Sequence, residues 1–148
     1  GMHSYSHQYK EIYQSMDAFQ ADYERISNCL TAATGIKPLY YRFPGGSTEV
    51  TEKLQMTDLD AYFNAQGASY FDWNVIAANN TTDDVSVNKM VDSVMNGVAL
   101  YDTSIVLMYD SVDRKMTAKS LDSILDYLLK NGYEILPIDE NTIPIHHS

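Results

Sequence analysis

The pattern that most constrains this chain is a repeated alternation of amphipathic helix and short apolar strand. Over Ser15–Thr34, residues Phe19, Tyr23, Ile26, Leu30 and Ala33 recur at helical spacing on one face, with Ser15 as N-cap and Gly35 just past the end. Leu39–Phe43 then reads as a strand, stopped by Pro44-Gly45-Gly46. A second helix covers Thr57–Gln66, with Leu59, Tyr62 and Phe63 inward and Gly67 as the stop, and Ser69–Val75 follows as a strand. Ser86 caps a third helix to about Ala99, striped by Val87, Met90, Val91, Val94 and Val98. Thr103–Tyr109 is apolar nearly throughout, as a strand buried on both faces should be. Thr117 caps a fourth helix, with Ala118, Leu121, Ile124, Leu125 and Leu128 inward and Gly132 as its end. Tyr133–Ile138 is the last predicted strand, and residues 139–148 form an irregular tail.

Helices alternating with strands imply parallel strands joined by right-handed crossovers. The expected fold class is therefore α/β, with about four α-β units in a single domain, 1–148. Four strands cannot close a barrel. The pattern predicts a partial (β/α) barrel, about three strands short of a seven- or eight-stranded one.

Composition narrows the function. Hydrophobic residues make up 45% of the chain, enough for a packed core. The formal charge is −10, with 10 basic residues scattered among 20 acidic ones, which excludes a nucleic-acid footprint. An acidic surface also repels anionic lipid and tolerates a neutral polymer. No apolar run approaches the ~20 residues of a membrane span. Cys29, the only cysteine, leaves no disulfide framework and no cysteine metal site. Its helical setting reads as a small core position. Gly1 before Met2 resembles a cloning remnant and carries no weight in the fold.

Parallel α/β folds build their sites at the C-terminal ends of strands. Those ends carry Arg42-Phe43-Pro44-Gly45-Gly46, Phe71-Asp72-Trp73-Asn74 and Leu107-Met108-Tyr109-Asp110. A further cluster, His3-Ser4-Tyr5-Ser6-His7, precedes the first helix. Two imidazoles at this spacing can face one divalent ion if the segment starts a helix, or they are incidental in an exposed terminus. Arg42 can fork onto a carboxylate or form an ordinary salt bridge. Trp73 can line a pocket or fill a core, and Tyr109 can simply pack at a strand end. Asp83-Asp84 reads as a solvated loop, and His146-His147 as either extra ligands or a loose terminus. The sequons within Asn79-Asn80-Thr81-Thr82 matter only in a secreted eukaryotic protein.

Taken together and in this order, the four clusters resemble the polysaccharide deacetylase family, the NodB-like or chitin-deacetylase domain. The resemblance extends to the phrases between them, such as Lys130-Asn131-Gly132-Tyr133. It implies that His3 and His7, in a His-Ser-x-x-His motif, are metal ligands. It implies that Arg42 positions a base aspartate, with Pro44 and the glycines shaping its loop on the substrate side. Asp72 would support the arginine, so an Asp72–Arg42 contact is expected, and Trp73 would line the acetyl pocket. Ser69 stands where the first acid of that motif falls, so the match is partial. The resemblance also implies a divalent metal, zinc with cobalt or nickel as substitutes, and an acetylated glycan of peptidoglycan or chitin type. Family members are usually extracellular or associated with the cell wall.

Two departures set the functional expectation. The family's Thr-Phe-Asp-Asp motif, which supplies the third ligand and the base, has no match in this sequence. Tyr109 occupies the place of the general-acid histidine in Leu-x-His. The chain is therefore expected to be inactive or strongly impaired. Alternatively it is a glycan-binding module, or one that self-associates through exposed strand edges. A gene model that begins too late would also explain the missing aspartates, though not Tyr109.

Overall fold

A computed structural model describes residues 1–50, 54–78, 85–112 and 114–148. The Asp83-Asp84 pair and the sequons lie outside the described residues. The chain forms two compact units: Gly1–Asp72 with Thr142–Ser148, and Trp73–Asn141. No described helix is long and apolar enough to cross a membrane.

The first unit contains α1 (Tyr9–Ile12), α2 (Met16–Thr34), β1 (Tyr40–Tyr41), a 3-10 turn (Ser47–Glu49), α3 (Met56–Gln66) and β2 (Ser69–Tyr70). α2 starts where predicted: the Ser15 hydroxyl accepts from the Ala18 amide at 3.2 Å. It ends at Gly35, whose φ of 75° is the left-handed C-terminal cap. Phe19, Tyr23 and Ser27 form its buried line. Cys29 is exposed, contrary to the core reading. It lies two residues past Ser27, roughly 200° round the helix, and so points away from the core.

β1 pairs in parallel with β2, Tyr40 opposite Ser69 and Tyr41 opposite Tyr70. Met2 bridges the other side of β1: its amide donates to the Tyr40 carbonyl at 2.7 Å and its carbonyl accepts from the Arg42 amide at 2.9 Å. The core beneath this sheet is aromatic. Phe43 meets Tyr70 edge to face at 4.9 Å, and Tyr41 meets Phe43 at 5.3 Å. The Tyr23, Tyr41 and Tyr62 hydroxyls are buried with no hydrogen-bond partner among the described residues. Burial raises the pKa of all three, that of Tyr62 to about 12.

The strand expected over Ser69–Val75 is not continuous. β2 stops at Tyr70, and β3 (Val75–Ile76) belongs to the second unit. The polar side chains between them bond outside the ladder. Asn74 donates to the Thr103 carbonyl at 3.0 Å and accepts from the Ile105 amide at 2.9 Å.

The second unit holds β3, α4 (Val87–Val98), β4 (Val106–Leu107) and α5 (Lys115–Lys130). β3 and β4 pair in parallel, Val75 opposite Val106. Val75, Ala77, Val94, Val98 and Ile124 form the core. Gly97 lets α4 press on the strand, since a Cβ there would come within 2.6 Å of Val75 Cγ1.

Three sequence expectations shift in this unit. Thr117 lies inside the first turn of α5, its amide donating to the Arg114 carbonyl at 3.0 Å, and Arg114 is the N-cap. β4 is two residues long and only half-buried, not covered on both faces. Tyr133–Ile138 forms no strand, and Ile135 and Leu136 are 48% and 72% exposed. An apolar run has strand propensity, but a strand exists only where a neighbour takes its backbone groups.

Candidate metal centre and strand-edge site

The histidines come together on a turn, without the helix start on which their facing one ion was conditioned. Ser4 and His7 adopt φ of 66° and 57°, and α1 begins only at Tyr9. The Ser4 hydroxyl accepts from the His7 amide at 2.8 Å. From α2, Asp22 accepts from the Tyr5 amide at 2.8 Å and the Ser6 amide at 2.9 Å. Burial opposes the charge on Asp22, but these amides, with the Ser6 and Ser4 hydroxyls, outweigh it and hold the carboxyl below its ordinary value.

The turn brings the His3 and His7 rings edge to face with centroids 4.9 Å apart. His3 Nδ1 lies 2.9 Å from the Arg42 carbonyl. A carbonyl only accepts, so Nδ1 is the donor and the neutral ring keeps its lone pair on Nε2. Burial lowers the His3 pKa below 6.5, and the His7 and Arg42 charges add to this against the pull of the Arg42 carbonyl. A neutral imidazole oriented by a backbone carbonyl is the form that ligates metal. The two rings thus suit two positions around a divalent ion. Among the described residues, no group of three His, Cys, Asp or Glu side chains could hold one. The donor set fits as half of a centre.

Arg42 extends from the same strand end. Its Nε donates to the Phe71 carbonyl at 3.2 Å and Nη2 to the Asp72 carbonyl at 3.4 Å. Burial lowers its pKa and the Asp72 charge opposes the shift. The expected Arg42–Asp72 contact therefore runs through the main-chain carbonyl of Asp72.

The Asp72 carboxylate is fully buried. Oδ1 accepts from the Ser47 amide at 2.8 Å, and Oδ2 from the Ser47 hydroxyl at 2.5 Å and the His147 amide at 2.8 Å. Ser47 was not singled out from sequence, and in the tail only the paired histidines were. The small polar residue after Pro-Gly-Gly was the only signal for Ser47, and nothing in 139–148 has a period.

The tail is bonded within the first unit, against the loose-terminus reading of its histidines. The Asp72 amide donates to the Ile145 carbonyl at 2.7 Å. His146 stacks on Tyr70 at 3.9 Å with 13° between the planes. The Ser148 amide donates to the Ser47 hydroxyl at 3.1 Å.

Pro44 is fully buried, and its carbonyl accepts from the Tyr13 hydroxyl at 2.8 Å. It holds the loop from inside. Gly45 has φ 81°, and a Cβ there would come within 2.8 Å of Glu49 Cβ. His3, His7, Arg42, Pro44 and Asp72 all belong to the first unit, linked by the bonds above. Trp73 and Tyr109 belong to the second. Both are half-buried, and the Arg114 guanidinium lies 5.7 Å from the Tyr109 ring centroid.

Residues 1–63 match the family model described as polysaccharide deacetylase. The catalytic domain of a peptidoglycan N-acetylglucosamine deacetylase from Eubacterium rectale is 31% identical, with a TM-score of 0.88 over 99% of this chain and 67% of that one. The chain belongs to the polysaccharide deacetylase family. A polysaccharide deacetylase from Bacillus cereus shares the fold at 20% identity and a TM-score of 0.81, over 99% of this chain and 70% of that one. So does a carbohydrate esterase family 4 pseudoenzyme from Bacillus anthracis, at 21% identity and a TM-score of 0.64, over 89% of this chain and 42% of that one. The deacetylase-family chain thus spans about two thirds of the length of the first two structures. No curated protein sequence matches it. The family's α/β fold, expected from the alternating pattern, is the fold found.

Proposed function

We propose that this polysaccharide deacetylase-family chain engages acetylated glycan of peptidoglycan or chitin type and has negligible deacetylase activity of its own. The observation that carries the reading is the His3–His7 pair, two imidazoles 4.9 Å apart with His3 held neutral and oriented by a carbonyl. They are the residues that would hold a divalent cation, zinc or, in its place, cobalt or nickel. When bound, such an ion polarises an acetyl carbonyl and lowers the pKa of water.

The chain's own residues support the rest. Arg42 presents a fixed positive charge beside the histidines, held by two carbonyls. Pro44, Gly45 and Gly46 fix the loop that carries it. The formal charge of −10 favours a neutral polymer over an anionic one.

One functional position is substituted. Tyr109 stands in place of the general acid, and a phenol titrating near ~10 is poorly matched to neutral pH, where an imidazole near ~6.5 suits it. Two histidines alone hold a metal weakly.

Incubation of the protein with acetylated chitooligosaccharide and zinc or cobalt tests this. Negligible acetate release is expected, and clear turnover contradicts it. Glycan binding without hydrolysis would support a carbohydrate-recognition role.

A further inference from the structure

We propose that Asp22 is a positioning residue: its carboxylate, reaching from α2, holds the Ser4–His7 turn in the shape that sets the His3 and His7 rings together. The inference rests on the reading of those histidines as ligands.

The turn needs an external hold. Ser4 and His7 both occupy the left-handed region, which residues with a Cβ adopt rarely. Neither helix nor strand takes the Tyr5 and Ser6 amides, and both donate to Asp22, one to each oxygen, at 2.8 and 2.9 Å. A carboxylate receiving two adjacent amides fixes the direction of the peptide between them. Its base is rigid, because Asp22 lies on α2 beside the buried Tyr23 and one turn after the buried Phe19.

A second contact from the same helix grips the same turn. The Arg25 guanidinium lies 3.8 Å from the Tyr5 ring centroid. Residues 22 and 25 share a helix face, so α2 clamps the turn through backbone and side chain together.

The two histidines are secured differently. His3 is tied to the Arg42 carbonyl and follows Met2, which is bonded into the sheet. Among the described residues the His7 ring accepts or donates no hydrogen bond: it packs edge to face on Tyr9 at 5.6 Å, and its amide bonds to Ser4, inside the turn. Asp22 therefore governs where His7 stands relative to His3.

The test uses the full chain as wild type, Asp22→Ala and Asp22→Asn. Three quantities are read: amide hydrogen exchange at Tyr5 and Ser6 against the amides of α2 and α3, the His3–His7 ring cross-peak in metal-free protein, and cobalt affinity from the visible spectrum. Asp22→Ala should speed exchange at Tyr5 and Ser6 by about a hundredfold while the helix amides stay unchanged. It should abolish the cross-peak and weaken cobalt binding by roughly 10- to 100-fold. Asp22→Asn, which keeps one acceptor, should fall between.

Unchanged exchange and an intact cross-peak in Asp22→Ala would overturn the proposal. So would a rise shared equally by the helix amides, which would make Asp22 a general stabiliser. If wild type binds no cobalt while Asp22→Ala frees the turn, positioning stands and the ligand reading falls.

Discussion

Replacing Asp72 by alanine should destabilise the protein by about 3–5 kcal/mol, because donors aimed at a buried carboxylate would lose their acceptor. The acceptor atoms are known individually. Oδ1 takes the Ser47 amide, and Oδ2 takes the Ser47 hydroxyl and the His147 amide. A hydroxyl can turn to another acceptor, but the two amides are fixed by the backbone. Each stranded amide costs on the order of 1–3 kcal/mol, and the cavity left by the carboxyl adds to it.

Asparagine tests the same geometry more sharply. Both carboxylate oxygens receive donors, so whichever end the asparagine NH2 takes, it meets an N–H. Asp72→Asn should therefore cost about 2–3 kcal/mol despite its matched shape. Urea unfolding measures both variants. Amide exchange at His147 should rise in each, because the tail is bonded to this carboxylate. A loss below about 1 kcal/mol for Asp72→Ala would refute the reasoning.

Three further outcomes are expected. Gly45→Ala should cost about 2–4 kcal/mol in a thermal melt, because it combines a φ of 81° with a Cβ contact of 2.8 Å to Glu49; Gly35→Ala, at φ 75° in open space, should cost about 1 kcal/mol. Tyr41→Phe should be neutral or stabilising by up to about 1 kcal/mol in urea, since its buried hydroxyl has no partner among the described residues. The carboxyl of Asp22 is held below its ordinary 3.8, so its contribution is fully present above that pH and is lost as pH falls through the lower folded value. Amide exchange at Tyr5 and Ser6 should therefore accelerate only below pH 3.8.

The sequence was most legible where local rules act alone. Ser15 and Gly35 bracket α2, Gly67 closes α3 and Ser86 caps α4, because caps and helix periods are set within a few residues. Strands were less legible, since their existence depends on a distant neighbour. Tyr133–Ile138 has strand composition and no ladder, and Ser69–Val75 is broken where Asp72 and Asn74 bond sideways. In the site, the strand-end clusters, the histidine cluster before the first helix and the family resemblance they carry together pointed to His3, His7, Arg42 and Asp72. How they meet was not visible. The histidines meet through a left-handed turn held by Asp22, seventeen residues from Tyr5. The Asp72 carboxylate is satisfied by Ser47 and by a tail 75 residues further on, which no local pattern marks.

The account rests on His3 and His7 being metal ligands, and cobalt or zinc titration of wild type against His3→Ala and His7→Ala tests that most directly. The prediction is saturable, weak binding of one ion per chain, lost in either variant while the aromatic core stays folded. Wild type that binds no metal, or variants that bind as wild type does, would contradict it.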